Sequence, residues 1–189
     1  RLQDALERIL GFKATLGLHK AQKDGSIFRT EEDLKVIGCE DHIERAKQAA
    51  DKGITLVKNT LDQLPIRPET HKRIRLYYLE GEKGGLLGDS DSLQTIVKEL
   101  ESRGFEVTVN DGNTRVKGPT LKYREEVDAA LVFSNVVGYG AENNYRIKWK
   151  MAMSNEVPWY VHEVPTVFVS LNYTTHLTDV PMVKCYINA

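Results

Sequence analysis

A three-layer α/β sandwich with a mostly parallel, flavodoxin-like sheet is predicted from three observations. Short apolar runs rich in β-branched residues recur at 74–79, 105–109, 129–133 and 164–171, each bounded by turn residues. Segments with helical spacing lie between them, and strands alternating with helices build a sheet covered on both faces. The third observation is the stretch from Val164 to Asn188. It runs Val164-Pro165-Thr166-Val167-Phe168-Val169-Ser170-Leu171, then a polar break, then Asp179-Val180-Pro181-Met182-Val183-Lys184-Cys185-Tyr186-Ile187-Asn188. A strand, a crossover of one helical turn around Thr174, Thr175 and His176, and a second strand with Pro181 at its mouth account for it. About five or six strands are usual in such a sheet.

The elements follow in order. Leu2, Ala5, Leu6, Ile9, Leu10 and Leu16 keep helical spacing, and Gly17 is a stop signal. Residues 21–39 are polar and irregular, with Asp24-Gly25 as a turn, and read as a surface linker. Asp41 with Glu44 fits a capping box that opens a helix to Gly53, and Ile54, Leu56 and Val57 read as further buried surface. A proline-marked loop follows over 59–68, and 74–79 is the first clear strand. Leu93, Ile96, Val97 and Leu100 form the stripe of a helix stopped by Gly104, with Asp89, Ser90 or Asp91 as its N-cap. The strand at 105–109 ends in Asn110-Asp111-Gly112-Asn113. Pro119 suits the first turn of a short helix through Glu126. The strand at 129–133 leads into a long loop over 134–144, and 145–153 fits strand or helix.

Composition excludes several functions. The 189 residues suffice for one domain with a sizeable core, and hydrophobic and charged contents of 41% and 28% are those of a globular protein. Lys+Arg 26 against Asp+Glu 27 leaves a net charge of −1, with no electrostatic footprint for nucleic acid or an anionic membrane. No apolar run approaches the ~20 residues that span a bilayer. Cys39 and Cys185 are too far apart in sequence for a disulfide framework or a metal spacing, and read as packed thiols that fit a reducing compartment. The five histidines are scattered, with no metal-ligand spacing. The chain begins at Arg1 inside a helical pattern, as a piece of something longer would.

Three places could carry chemistry. Gly81, Gly84, Gly85 and Gly88 follow a strand and precede a helix, where α/β proteins hold phosphate. Their spacing is neither G-x-G-x-x-G nor Walker A. Glu80, Glu82, Asp89 and Asp91 against Lys83 would also repel an anion, so a loop reaching toward a neighbouring domain is the better reading. The second place is Tyr139-Gly140-Ala141-Glu142-Asn143-Asn144-Tyr145-Arg146-Ile147-Lys148-Trp149. Glu142, Asn143, Asn144 and Arg146 can hydrogen-bond sugar hydroxyls and aromatic faces can stack on a pyranose, so these four are the substrate-binding candidates. The competing reading is an interdomain loop with Trp149 in the core. Ser170 lacks the glycine flanks of a nucleophile elbow and reads as a buried, hydrogen-bonded strand residue.

The C-terminal stretch resembles the end of the C-terminal domain of family 3 glycoside hydrolases, in their β-N-acetylhexosaminidase branch. Leu10-Gly11-Phe12-Lys13-Ala14-Thr15-Leu16-Gly17-Leu18 is similar to the family's barrel-exit helix. Ile54-Thr55-Leu56-Val57-Lys58-Asn59 with Leu64-Pro65-Ile66 is similar to its domain junction. The resemblance implies a helix and linker left from an N-terminal barrel over 1–40 and a C-terminal sandwich domain over 41–189. It implies a retaining enzyme acting on non-reducing ends of a β-linked amino-sugar glycan, without cofactor or metal, and no nucleic-acid or membrane partner. The partner is the catalytic barrel of the same polypeptide. A typical barrel takes ~250 residues, more than this chain holds. The resemblance puts the nucleophilic aspartate there. In one branch of the family it puts a histidine–aspartate pair there too; in the other it takes the acid/base glutamate from the C-terminal domain. No position here matches those motifs, so none in this chain is assigned as catalytic; Glu82 as acid/base competes with its reading as a solvated carboxylate. The fragment is expected to shape the rim of the active site and to be inactive alone. The alternative is a stand-alone flavodoxin-like module binding a small anion or sugar.

Overall fold

A computed structural model describes residues 1–80, 91–112, 121–136, 146, 147, 149 and 156–189. The chain divides into two compact units, Arg1–Ala49 and Ala50–Ala189.

The first unit is helical. It holds α1 (Leu2–Thr15), α2 (Leu18–Asp24), α3 (Glu31–Leu34) and most of α4 (Glu40–Gly53). Gly17 stands at φ +70° between α1 and α2, a conformation that glycine adopts at little cost and that ends α1 where expected. The irregular linker expected over 21–39 is corrected: it contains the end of α2 and all of α3. The signal for α3 is a capping box in which Thr30 and Asp33 bond each other's backbone and side chain, with the Thr30 N–H donating to Asp33 Oδ2 at 2.8 Å. The box proposed for Asp41 and Glu44 is corrected too. Helix α4 starts at Glu40, so Asp41 lies inside its first turn and pairs with Arg45 one turn on, at 2.9 Å.

The second unit is a six-stranded sheet made of β1 (Thr55–Asn59), β2 (Arg73–Glu80), β3 (Glu106–Val109), β4 (Ala129–Asn135), β5 (Thr166–Ser170) and β6 (Cys185–Asn188). The strand order is β1-β6-β5-β4-β2-β3. Strands β2 to β6 are all parallel, and β1 runs antiparallel along β6. Counted from β2, the parallel strands lie in the order 2-1-3-4-5, which is the flavodoxin-like winding. Helices α5 (Ser92–Ser102) and α6 (Leu121–Glu126) follow β2 and β3, and 3₁₀ turns at Trp159–His162 and Thr174–Thr178 flank β5. The crossover turn inferred around His176 is thus present. The last strand begins only at Cys185, because Pro181 and its neighbours form a turn ahead of it.

A parallel sheet with cover on both faces needs apolar residues at successive positions, since neighbours point to opposite sides. The core divides accordingly. Ile74, Leu76, Ala129, Leu131, Val167 and Cys185 face one layer, where Leu93, Ile96, Val97 and Leu100 of α5 pack. Tyr77, Leu79, Ala130, Val132, Phe168 and Tyr186 face the other, against Val161, Val164, Val180 and Val183. That second layer holds an aromatic stack: Tyr77 lies 4.4 Å from Tyr160, and Tyr123 packs edge-on against Trp159. Burial pushes the Tyr77 phenol upward and that of Tyr123 up to about 12, and the two hydroxyls bond each other at 3.0 Å. Strand β1 departs from the sequence reading. Ile54, Leu56 and Val57 are exposed, not buried, because β1 is an edge strand joined to β6 through an irregular register at Leu56 to Lys58.

The amino ends of β2 and β4 are latched by Arg73 and Asp128. The Arg73 backbone N–H donates to Asp128 Oδ2 at 2.7 Å, Nη2 donates to Oδ1 at 2.6 Å, and Nη1 donates to the Glu125 carbonyl. These hydrogen bonds hold the Asp128 carboxyl below the usual carboxylate range.

Two outcomes are expected. Phe168 is fully buried and stacked 5.3 Å from Tyr186, so Phe168→Ala lowers the unfolding free energy by about 3–5 kcal/mol in urea titrations. Because Asp128 is depressed in the folded state, its contribution is complete above the unfolded value of about 3.9 and is lost as pH falls through the folded value. The stability gap between wild type and Asp128→Asn is therefore constant near neutral pH and closes in acid. A gap that ignores pH means the carboxylate charge contributes nothing.

Candidate functional site at the carboxyl end of the sheet

The strand order reverses between β2 and β4, and open α/β sheets form their ligand crevice beyond the carboxyl ends of strands at such a point. Glu80 and Asn135 are register partners there, and the Asn135 amide donates to the Tyr78 hydroxyl at 3.1 Å. Both sequence-predicted loops leave from this place, one after Glu80 and the other after β4. Gly81, Glu82, Gly84, Gly85, Gly88 and Asp89 lie outside the described residues, as do Glu142, Asn143 and Asn144 of the binding candidates. Asp91 is the N-cap residue of α5.

Arg146 is described. Its side chain is 71% exposed and its Nε donates to Asp179 Oδ1. The other oxygen of Asp179 accepts the Ile147 backbone N–H at 2.9 Å. Trp149 is half-buried against the aromatic core layer.

Beside Asp179 lies a buried polar cluster. Ser134, Ser170 and His176 are all fully buried at the ends of β4 and β5 and in the crossover turn. His176 Nδ1 stands 2.9 Å from Ser170 Oγ and 3.3 Å from Ser134 Oγ. The Ser170 hydroxyl donates to the Tyr173 carbonyl at 2.9 Å and accepts the Tyr173 N–H at 3.1 Å. With its single proton committed to that carbonyl, Ser170 receives a proton from the imidazole, which fixes the Nδ1–H tautomer. The Tyr186 hydroxyl donates to the same carbonyl at 3.0 Å. A serine beside a histidine resembles an activated nucleophile. Here the hydroxyl is buried, engaged on both sides and without access to a substrate, so the cluster shapes the crossover and the expectation of a satisfied Ser170 holds. His176 was legible as part of the crossover turn and as one of five scattered histidines, but its bonds to Ser134 and Ser170 were not. Among the described residues no three His, Cys, Asp or Glu side chains gather as a metal site, and no helix is long and apolar enough to cross a membrane.

No family model matches the chain. The whole chain is 35% identical to part of a β-N-acetylglucosaminidase/β-glucosidase of Cellulomonas fimi. A β-glucoside phosphorylase solved with 2FGlc superposes on all of it with a TM-score of 0.82 at 31% identity. Over its whole length the chain is similar to part of the family 3 glycoside hydrolases. A fungal multidomain family 3 β-N-acetylglucosaminidase shares the fold, at a TM-score of 0.50 over 82% of the chain and 19% identity. The chain spans about a third of these relatives, 34% of the Cellulomonas protein and 33% of the phosphorylase. Its six-stranded sheet is that of the family's C-terminal domain.

Ser170→Ala removes a bridge between β5, Tyr173 and His176. The expected loss is about 1–3 kcal/mol in urea unfolding, the cost of leaving buried polar partners unpaired. Wild-type stability would show that the cluster is not structural.

Proposed function

We propose that this chain is the C-terminal domain of a retaining, exo-acting family 3 glycosidase that removes β-linked N-acetylhexosamine from non-reducing ends. The carrying observation is similarity along the whole chain to one third of a larger protein named β-N-acetylglucosaminidase/β-glucosidase. Residues 1–40 lead out of a catalytic barrel of the same polypeptide, and residues 41–189 pack on that barrel and shape the rim of its active site. The exposed Leu2, Leu10, Phe12 and Phe28 of the helical unit suit an apolar partner surface. Glycoside hydrolysis with retention runs through a glycosyl-enzyme ester on a carboxylate, which a water then opens. No residue of this chain is given that carboxylate role. Its contribution is to hold the sugar: Glu142, Asn143, Asn144 and Arg146 follow the strand at the topological switch point, and their side chains suit hydroxyl and acetamido groups.

A second reading of the reaction is favoured by the phosphorylase neighbour. There phosphate, not water, opens the same ester, and the product is a sugar 1-phosphate.

Both are tested in the full-length polypeptide with p-nitrophenyl β-N-acetylglucosaminide and the matching β-glucoside, with and without phosphate. Faster turnover of the amino sugar is expected, and no turnover by the isolated domain. Asn144→Ala and Arg146→Ala are each expected to raise KM about 5- to 10-fold with kcat little changed, the effect of a lost hydrogen bond of about 1–1.5 kcal/mol. Unchanged KM in both variants removes the binding role. Sugar 1-phosphate as the main product selects the second reading.

A further inference from the structure

We infer that Asp179 is the positioning residue that holds Arg146 in place for its contact with the glycan, an inference that rests on the substrate role just proposed for Arg146. The two residues differ sharply in environment. The Asp179 side chain is 7% exposed and that of Arg146 is 71% exposed. A buried carboxylate is retained only where it is paired and hydrogen-bonded. Asp179 meets that condition by joining two segments more than thirty residues apart. One oxygen accepts Arg146 Nε, and the other accepts the Ile147 backbone N–H at 2.9 Å. The Ile147 side chain is itself buried in the core. The carboxylate thus fixes both the backbone beside Arg146 and the root of its guanidinium.

Asp179 is in turn immobilised. Its backbone N–H donates to the His176 carbonyl at 3.0 Å, closing the turn Thr174–Thr178. The His176 ring is tied to Ser134 and Ser170 at the ends of β4 and β5. Val180, the next residue, is fully buried. The line of support therefore runs from two strand ends, through one imidazole and one carboxylate, to an exposed guanidinium. A guanidinium held at Nε has its orientation restrained, and a planar guanidinium is a directional donor. Such a group suits a sugar hydroxyl or the carbonyl oxygen of an acetamido group. Without the grip, Arg146 must be ordered on each binding event, and the cost falls on affinity.

The test is a double-mutant cycle in the full-length enzyme with p-nitrophenyl β-N-acetylglucosaminide, comparing Arg146→Ala, Asp179→Asn and the double variant. Asp179→Asn keeps the shape and an acceptor for the Ile147 N–H. It is expected to raise KM about as much as Arg146→Ala does, roughly 5- to 10-fold, with kcat within about twofold and no further loss in the double variant. Arg146→Lys, which keeps the charge but lacks Nε, leaves Asp179 untouched and is expected to raise KM as well. Arg146→Ala raising KM while Asp179→Asn leaves it unchanged overturns the positioning role alone. The positioning role also falls if Asp179→Asn raises KM by its full factor in the Arg146→Ala background, or if Arg146→Lys binds like wild type. Unchanged KM in Arg146→Ala overturns the substrate contact itself.

Discussion

The pairing of β2 with β4 is the constraint on which the rest of the unit depends. Seven residue pairs run in parallel register from Ile74 opposite Ala129 to Glu80 opposite Asn135. Parallel neighbours cannot be joined by a tight turn, so the chain between them must leave the sheet and return over one of its faces. It leaves to lay α5 on one face and to add β3 at the outer edge, and only then comes back as β4. The reversal of strand order is created at this seam. Open α/β sheets form their ligand crevices at such a reversal. The latch between Arg73 and Asp128 closes the opposite end of the same seam, so both its ends are defined by side chains as well as by the ladder.

Much of this was legible because burial on both faces writes a dense apolar signal. The runs at 74–79, 129–133 and 164–171 lie within or across strands that sit inside the sheet, and the stripe Leu93, Ile96, Val97 and Leu100 packs as read. The misreadings concern elements whose signal is weak for a physical reason. Strand β1 is half of an antiparallel edge pair and carries its apolar residues in the open, so Ile54, Leu56 and Val57 looked like core. Helix α3 is a single turn defined by one capping box, too short for periodicity to register. The last strand is short because Pro181 belongs to the turn that feeds it.

The site was less legible than the fold. Arg146 was a candidate from composition, since a guanidinium beside asparagines suits hydroxylated ligands. Its partner could not, because Asp179 lies on the far side of β5 in sequence and only the winding of the sheet brings the two together. The bonds of His176 were hidden for a related reason. A buried histidine bonded to two serines shows no spacing rule, and its partners come from two different strands. The family resemblance was carried by segments that pack and turn, and such segments report the fold rather than a substrate.

The place of β6 has a consequence for biosynthesis. It is the last strand described, yet it lies inside the sheet, with β5 on one side and β1 on the other. Thr55 and Asn188 are register partners, so β1 cannot find its ladder until nearly all of the chain between them has emerged from the ribosome. Contacts this distant in sequence are slow to form, and unpaired strand edges invite aggregation while they wait. The exposed apolar side chains of β1 remain uncovered by any ladder through most of translation. Vectorial folding from the amino end is thereby blocked at this edge.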